Sequence, residues 1–599
     1  MAVNSYRKDQ FLITRGKLEN IPEYLNQVEK LTSAYFYYEK SSNLTQVIDE
    51  DVNIIMLGYV LDIRDSKKDS NEILKHLSKQ YKISREYFYD ALDYLNGRYI
   101  LIVDDSDDTQ VYTDATSMKP IYYWNKELFG SHEVIVREVV KKNRNVTLKT
   151  RWTNGYMDYT GTQSIYKFNC NNYFSFKENQ FSRYFPRYDI ENQSAEEIAE
   201  KTIPFLKNQV EWLSKLDKTL YLSLTGGMDS KVSLAILKSI KSKLNLFTYL
   251  IDFEKEKEGP RKDIYTRDKE LVDRLVYNFD LKHKYYNFED LNIPDEFIKQ
   301  MKYNFSSAHS DEVAYLVREN MDFNSIHIKS NIYEMAKLPY TQSGYKVTKI
   351  EDGYNISKKW LPRSIRDKND IGKKMYLDAA RRCNLNREEI LNANLSMMLY
   401  LESKLSNWHS SITQETEAIQ ETFIFFNSKF LLRNLLSLKM DERRNTILLS
   451  LYIKAFWPFL NYQVANSYNT LDVYRSNRIE LVHPIESLRI VNPMNVSMKT
   501  IENKVTVKPY DGIALRDTNI SFEVVNDSSE DVSVNIKSNY SHPEKNIFII
   551  INKKKLSINN YIEGQNINIK GKTSIQVQIE YRKNFKYNSW VKAGELTIG

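Results

Sequence analysis

Residues 222–237 read LSLTGGMDSKVSLAIL, and the fold is decided there. An apolar strand runs into Thr225, then two glycines, an acid, a hydroxyl and an amphipathic helix. Glycines let main-chain N–H groups close on an anion at a helix N-terminus, where unpaired donors and the helix dipole favour phosphate. Thr225 and Ser230 add hydroxyl donors. Asp229 cannot contact phosphate directly, because like charges repel; it makes sense as a ligand for a Mg²⁺ that accompanies a polyphosphate. The ligand implied is a nucleotide rather than free phosphate. Val232, Ala235, Ile236 and Ile240 follow one helical face, which packs the helix on a sheet and aims its first turn at the ligand. The plainer alternative is a strand-to-helix corner capped by Asp229. Against it, Gly226-Gly227 is the only adjacent glycine pair in a chain with 17 glycines among 599 residues. GxxxxGK[ST] is absent, so this is not a Walker A loop.

The pattern around the loop is βαβα. Strand 220–224 is followed by a helix through Ile240, strand 244–251 (LNLFTYLI) and a helix across 269–279 (KELVDRLVYNF), the order of a parallel sheet. Upstream, NIIMLGYVLDI (53–63) and RYILIVDD (98–105) predict strands and SNEILKHLSKQY (70–81) a helix, giving an α+β domain. Ser194 with Glu197 predicts a capping box opening a helix to about Leu213. Residues 355–480 read as mostly helical, as in 388–408 and 444–460. From about 485 the chain alternates in β fashion (NISFEVV, 519–525; VSVNIKS, 532–538; NIFIIIN, 546–552; SIQVQIEY, 574–581), as a β-sandwich does. Expected domains are therefore 1–190, 191–482 and 483–599.

Composition narrows the function. With 42% apolar and 27% charged residues the chain reads as a soluble globular protein. Lys and Arg number 85 against 78 Asp and Glu, with no like-charge block, so no nucleic-acid-binding stripe is expected. No apolar run approaches a membrane span, and MAVNSYRKDQ lacks a signal-peptide layout; a cytoplasmic location is expected. Two distant cysteines, Cys170 and Cys383, and eight scattered histidines exclude zinc fingers and CxxC redox centres.

TGGMDS resembles the SGGxDS pyrophosphate loop of the N-type ATP pyrophosphatases, and the surrounding order resembles their asparagine synthetase branch, which includes β-lactam synthetases. There a class II glutamine amidotransferase domain precedes the loop domain. LNGRYILIVDD (95–105) with VYTDATSMKPIYYW (111–124) is similar to that domain's GxFAxxxxD…RDRxGxKPLYY stretch, and FGSHEVIV (129–136) and SRYFPR (182–187) look like its later landmarks. The likeness spans about residues 50–470. It implies an α+β Ntn-type sandwich, then an α/β PP-loop parallel sheet with a helical subdomain, with the all-β sandwich appended. The family's glutaminase uses an N-terminal cysteine; this chain begins Met1-Ala2-Val3 and has no cysteine before Cys170, so glutamine hydrolysis is not expected. Cys170 has no supporting base in KFNCNNY.

By the resemblance, ATP adenylates a carboxylate, Mg²⁺ bridges the polyphosphate, and an amine or ammonia attacks the acyl-AMP, giving an amide, AMP and pyrophosphate. The nucleotide-binding candidates are Leu222, Ser223, Thr225, Gly226, Gly227, Asp229 and Ser230. The metal candidates are Asp229 and Glu334. Glu334 lies in IHIKSNIYEMAKLPY (326–340), which stands where the family has GxGxDExxxGY; the leading glycines are gone, and the alternative is a first-turn acid favoured by the helix dipole. ETFIFFNS (421–428) matches ExRxPFLD as Glu421 and Phe426, with Phe423 for Arg and Ser428 for Asp. Glu421 is the catalytic-base candidate, and a salt-bridged helix residue is the alternative. Lys429, Lys439 and Lys454 are all available to assist adenylation. The expected activity is thus an ATP-dependent carbon–nitrogen ligase acting on small-molecule, peptide or sugar-precursor carboxylates and amines, with a homodimer left open. A non-catalytic nucleotide-binding scaffold and a PP-loop enzyme acting on tRNA are the rivals; the latter wants paired cysteines or a basic face.

Overall fold

In the computed structural model the described residues are 6–149, 155–253, 255–256, 260–305, 310–337, 347–366, 368–463, 482–485, 487–501, 504–509, 519–540, 544–582 and 594–599. The chain divides into two compact units, Met1–Asn461 and Tyr462–Gly599. Most of the interval between that division and the expected boundary at 482 lies outside the described residues. Among the described residues no helix is long and apolar enough to cross a membrane.

The first unit opens with two six-stranded antiparallel sheets. Strands β1 (Val52–Asp62) and β2 (Leu95–Asp104) form the centre of one, paired from Asn53↔Asp104 to Asp62↔Leu95. Alternation decides the layering. Ile55, Leu57, Ile100 and Ile102 meet Phe11, Ile13 and Phe36 of the other sheet. Ile54, Met56, Leu101 and Val103 pack instead with Ile73, Leu74, Leu77 and Phe88 from helices Ser70–Ile83 and Arg85–Asp93. The far face of the second sheet is covered by Val134, Ile135 and Val139 of helix Glu133–Arg144. The result is a helix–sheet–sheet–helix stack.

Helix α1 (Ala195–Lys215) begins with the predicted box: Ser194 accepts from the Glu197 amide and the Glu197 carboxylate accepts from the Ser194 amide. It leads into β3 (Leu220–Ser223), α2 (Met228–Ile236), β4 (Leu244–Leu250), α3 (Pro260–Phe279) and β5 (His283–Asn287). The chain then crosses to β6 (Ser325–Ile328) and β7 (Gln420–Phe423), giving a five-stranded sheet of order β5-β4-β3-β6-β7, parallel throughout. One face (Leu220, Leu222, Ile326, Ile328) packs with Leu206, Val232, Ala235, Leu448 and Tyr452; the other offers Tyr221 and Phe247 to Leu316 and Val317.

Two expectations are corrected here. The helix after the loop stops at Ile236, and the 3₁₀ stretch that follows breaks helical geometry at Ile240 (φ −118°, ψ 20°). Glu421 lies on a sheet strand rather than a helix, within a region otherwise helical.

The second unit has a six-stranded and a five-stranded sheet, antiparallel throughout. Leu488, Phe522, Ile549 and Val577 of one pack on Val507, Val534, Ile569 and Ile598 of the other, as alternation in 519–581 predicts.

Candidate functional site at the switch point of the parallel sheet

The order β5-β4-β3-β6-β7 reverses at β3: the chain winds outward from β3 to β5, then returns to the other side at β6. Ligands of open α/β sheets sit beyond the carboxyl ends of the strands at such a reversal. The β3 and β6 ends are level, with Leu222 opposite Ile328. From one comes the Thr225-Gly226-Gly227 turn; from the other, the segment holding Glu334.

The turn is tightly built. The Thr225 amide donates to Ser230 Oγ at 3.1 Å, the Ser230 hydroxyl donates to the Thr225 carbonyl at 3.0 Å, and the Gly227 amide donates to Thr225 Oγ1 at 3.2 Å. Asp268 of α3 accepts from the Gly226 amide at 3.1 Å. A Cβ at 226 would stand 2.8 Å from Leu271 Cδ1 and 2.9 Å from Asp268 Oδ1, so any larger residue there must displace those two side chains. Gly227 caps α2 and gives it no side-chain hydrogen bond, whereas Ser194, Ser310 and Ser428 cap their helices with hydroxyls. An uncapped first turn at a strand end is a place for an anion.

Asp229 lies in that first turn, with the Lys337 ammonium 2.5 Å from Oδ1. Burial raises its carboxyl above the ordinary aspartate value, although Lys337 opposes the shift. Glu334 sits in a single 3₁₀ turn, Tyr333–Ala336. Burial, and then the Asp229 charge, push its carboxyl up to about 7. Its Oε2 is buried with no hydrogen-bond partner among the described residues. The two segments are tied by Ser330 Oγ donating to Ser233 Oγ at 2.9 Å and by Ser233 Oγ with Tyr333 Oη at 3.0 Å. Ile332, fully buried, holds a left-handed conformation (φ 74°, ψ −21°) just before the turn. For a β-branched residue this is strained, and such strain concentrates where a ligand-binding loop is held in shape.

Other predicted residues fall elsewhere. Leu222 is fully buried in the sheet core, so its side chain does not reach the turn. Ser223 Oγ pairs with His327 Nε2 at 3.2 Å. Glu421 is level with Leu220 through Ile326, at the opposite end of the sheet from the loop. It is 7% exposed, with Arg98 Nη1 on Oε1 at 2.9 Å and Lys8 Nζ on Oε2 at 3.4 Å. Burial would raise its pKa, but Arg98, then Lys8 and Lys119, hold the carboxyl below the ordinary glutamate value. That is the ion-paired alternative, realised on a strand, and a carboxyl held so acidic is a poor general base. Lys429 donates to the Ala115 and Cys170 carbonyls at 2.9 and 3.0 Å, and Lys454 is exposed. Tyr340, the last residue of the 326–340 segment that holds Glu334, lies outside the described residues. Sequence reasoning missed Asp268 and Lys337, whose roles come only from tertiary contact. It also missed Lys329 at the end of β6, whose amine burial lowers to about 8.

No family model and no curated protein matches the chain. Among solved structures it is similar to an NH3-dependent NAD synthetase from Campylobacter jejuni (15% identity, 36% of this chain and 95% of that one, TM-score 0.18). It is also similar to a glutamine phosphoribosylpyrophosphate amidotransferase from B. subtilis (8%, 55% and 71%, TM-score 0.19) and an NMN synthetase from Francisella tularensis (9%, 38% and 93%, TM-score 0.14).

Proposed function

We propose that the chain is an ATP-dependent, AMP-forming amide synthetase, a carbon–nitrogen ligase. Residues 1–190 would be an amidotransferase-like domain that does not hydrolyse glutamine, 191–482 the synthetase domain, and 483–599 an appended β-sandwich. The observation that carries this reading is the meeting, at the switch point of a parallel sheet, of an uncapped glycine turn with the Asp229 and Glu334 carboxylates.

The turn and the first amides of α2 receive the terminal phosphates as a pyrophosphate leaving group. A substrate carboxylate oxygen attacks the α-phosphorus, the bond to the β-phosphate oxygen breaks, and pyrophosphate leaves. An amine nitrogen then attacks the acyl carbon, AMP departs and the nitrogen loses a proton. Two carboxylates, each with a buried oxygen that has no hydrogen-bond partner among the described residues, fit Mg²⁺, which takes one or two carboxylates and completes its shell with phosphate and water. When bound, the ion would offset charge on the leaving pyrophosphate. The substrates are a carboxylate and an amine of small-molecule, peptide or sugar-precursor type. Burial of Cys170, whose thiol is pushed up to about 11, supports a domain without thiolate chemistry.

The test is pyrophosphate release from ATP and Mg²⁺ in the presence of an extract supplying carboxylates and amines. Release that disappears in Asp229→Asn is expected; release unchanged by that substitution would remove Asp229 from the site.

A further inference from the structure

The Lys337 ammonium sits 2.5 Å from Asp229 Oδ1, on one of the two carboxylates that would hold a divalent ion. Both side chains remain open to solvent, at 26% and 23% exposure, so a ligand entering the turn can reach them. The lysine is not a loose surface chain. Its amide donates to the Glu334 carbonyl at 3.1 Å, closing the 3₁₀ turn that follows the strained Ile332. The same rigid turn therefore presents Glu334 and Lys337 to the first turn of α2. An ammonium has three donors. Its contact with Asp229 Oδ1 is an ion pair, that oxygen having no hydrogen-bond partner among the described residues, and the only other carboxylate it acts on there is Glu334. Glu334 Oε2, buried and unpartnered, is a second sign that the cluster is completed by something it does not itself contain.

We propose that Lys337 is the resident cation of the site: held by Asp229, it turns its remaining donors to the bound polyphosphate, so that nucleotide binding itself does not require a divalent ion. The inference rests on the ATP reading above. It separates two tasks usually given together to the metal, neutralising the phosphates on binding and stabilising the leaving group in the reaction. Lys337 takes the first.

The experiment is calorimetric titration of the full chain with ATP, in excess EDTA and in Mg²⁺, for wild type, Lys337→Met and Lys337→Arg, with melting curves to confirm folding. Wild type is expected to bind in EDTA within about threefold of its affinity in Mg²⁺, and Lys337→Met to lose about 30-fold or more in EDTA, the scale of a lost charge partner. Lys337→Arg should retain binding. Wild-type binding that collapses in EDTA overturns the inference while leaving the ATP reading intact, and this comparison needs no variant to fold. Lys337→Met binding in EDTA like wild type also overturns it, reducing the ion pair to a structural tie. No ATP binding by wild type under either condition overturns both.

Discussion

Arg98 of β2 donates to Glu421 of β7 at 2.9 Å, joining the antiparallel and parallel sheets through a buried ion pair. The same guanidinium also binds Glu417, and His132 Nε2 meets Glu417 Oε1 at 2.8 Å. Arg98 is the largest opposing charge on both carboxylates, with Lys8 beside it on Glu421 and His132 on Glu417.

Arg98→Met should therefore cost about 3 kcal/mol of stability, the low end for breaking a buried pair, because Lys8 and His132 remain on the two carboxylates. Denaturant unfolding checks this. A loss below about 1 kcal/mol would mean that water reaches the pair.

Glu334 predicts a pH effect of definite sign. Its carboxyl titrates near 4.5 in the unfolded chain and about 7 in the folded one, so the folded state holds the proton more tightly. Its contribution is favourable below about 4.5 and is lost as pH rises towards 7. Glu334→Gln removes that loss. The melting temperature of the variant relative to wild type should climb between about pH 5 and pH 8. A difference independent of pH would show that Glu334 is ionised throughout.

Gly226→Ala should disturb the loop more than its size suggests. The new methyl meets Leu271 and the carboxylate that accepts from the Gly226 amide, so Asp268 must withdraw. ATP affinity is expected to fall by about tenfold or more, equivalent to about 1.4 kcal/mol. Unchanged affinity would mean that the turn relaxes freely.

Cys170 and Cys383 are both buried, and burial raises both thiols, Cys170 to about 11. Iodoacetamide at neutral pH should label neither thiol in the native protein and both after denaturation. Fast native labelling of Cys170 would reopen a thiol role for the amidotransferase-like half.

The loop was legible in sequence because strand, glycine pair and helix follow without interruption, each with its own periodicity. The capping box was legible because Ser194 and Glu197 act within one turn. Strand β7 was not: its four residues, Gln420-Glu421-Thr422-Phe423, carry a single apolar side chain between helical stretches and show no period of their own. The fate of Glu421 was hidden for another reason. A buried carboxylate is raised or lowered in pKa by its partner, and Arg98 is 323 residues away in the chain. Lys337 and Asp268 share that limit, since nothing local to either announces Asp229 or Gly226.

Which bond of ATP breaks separates adenylation from phosphoryl transfer. If Thr225, Gly226, Gly227 and Ser230 cradle a pyrophosphate leaving group, attack falls on the α-phosphorus. The direct measurement incubates the protein with Mg²⁺, α-labelled ATP and an extract supplying carboxylates and amines, then resolves AMP from ADP. AMP and pyrophosphate are expected in equal amounts, with no ADP. ADP accumulating in step with product would contradict adenylation.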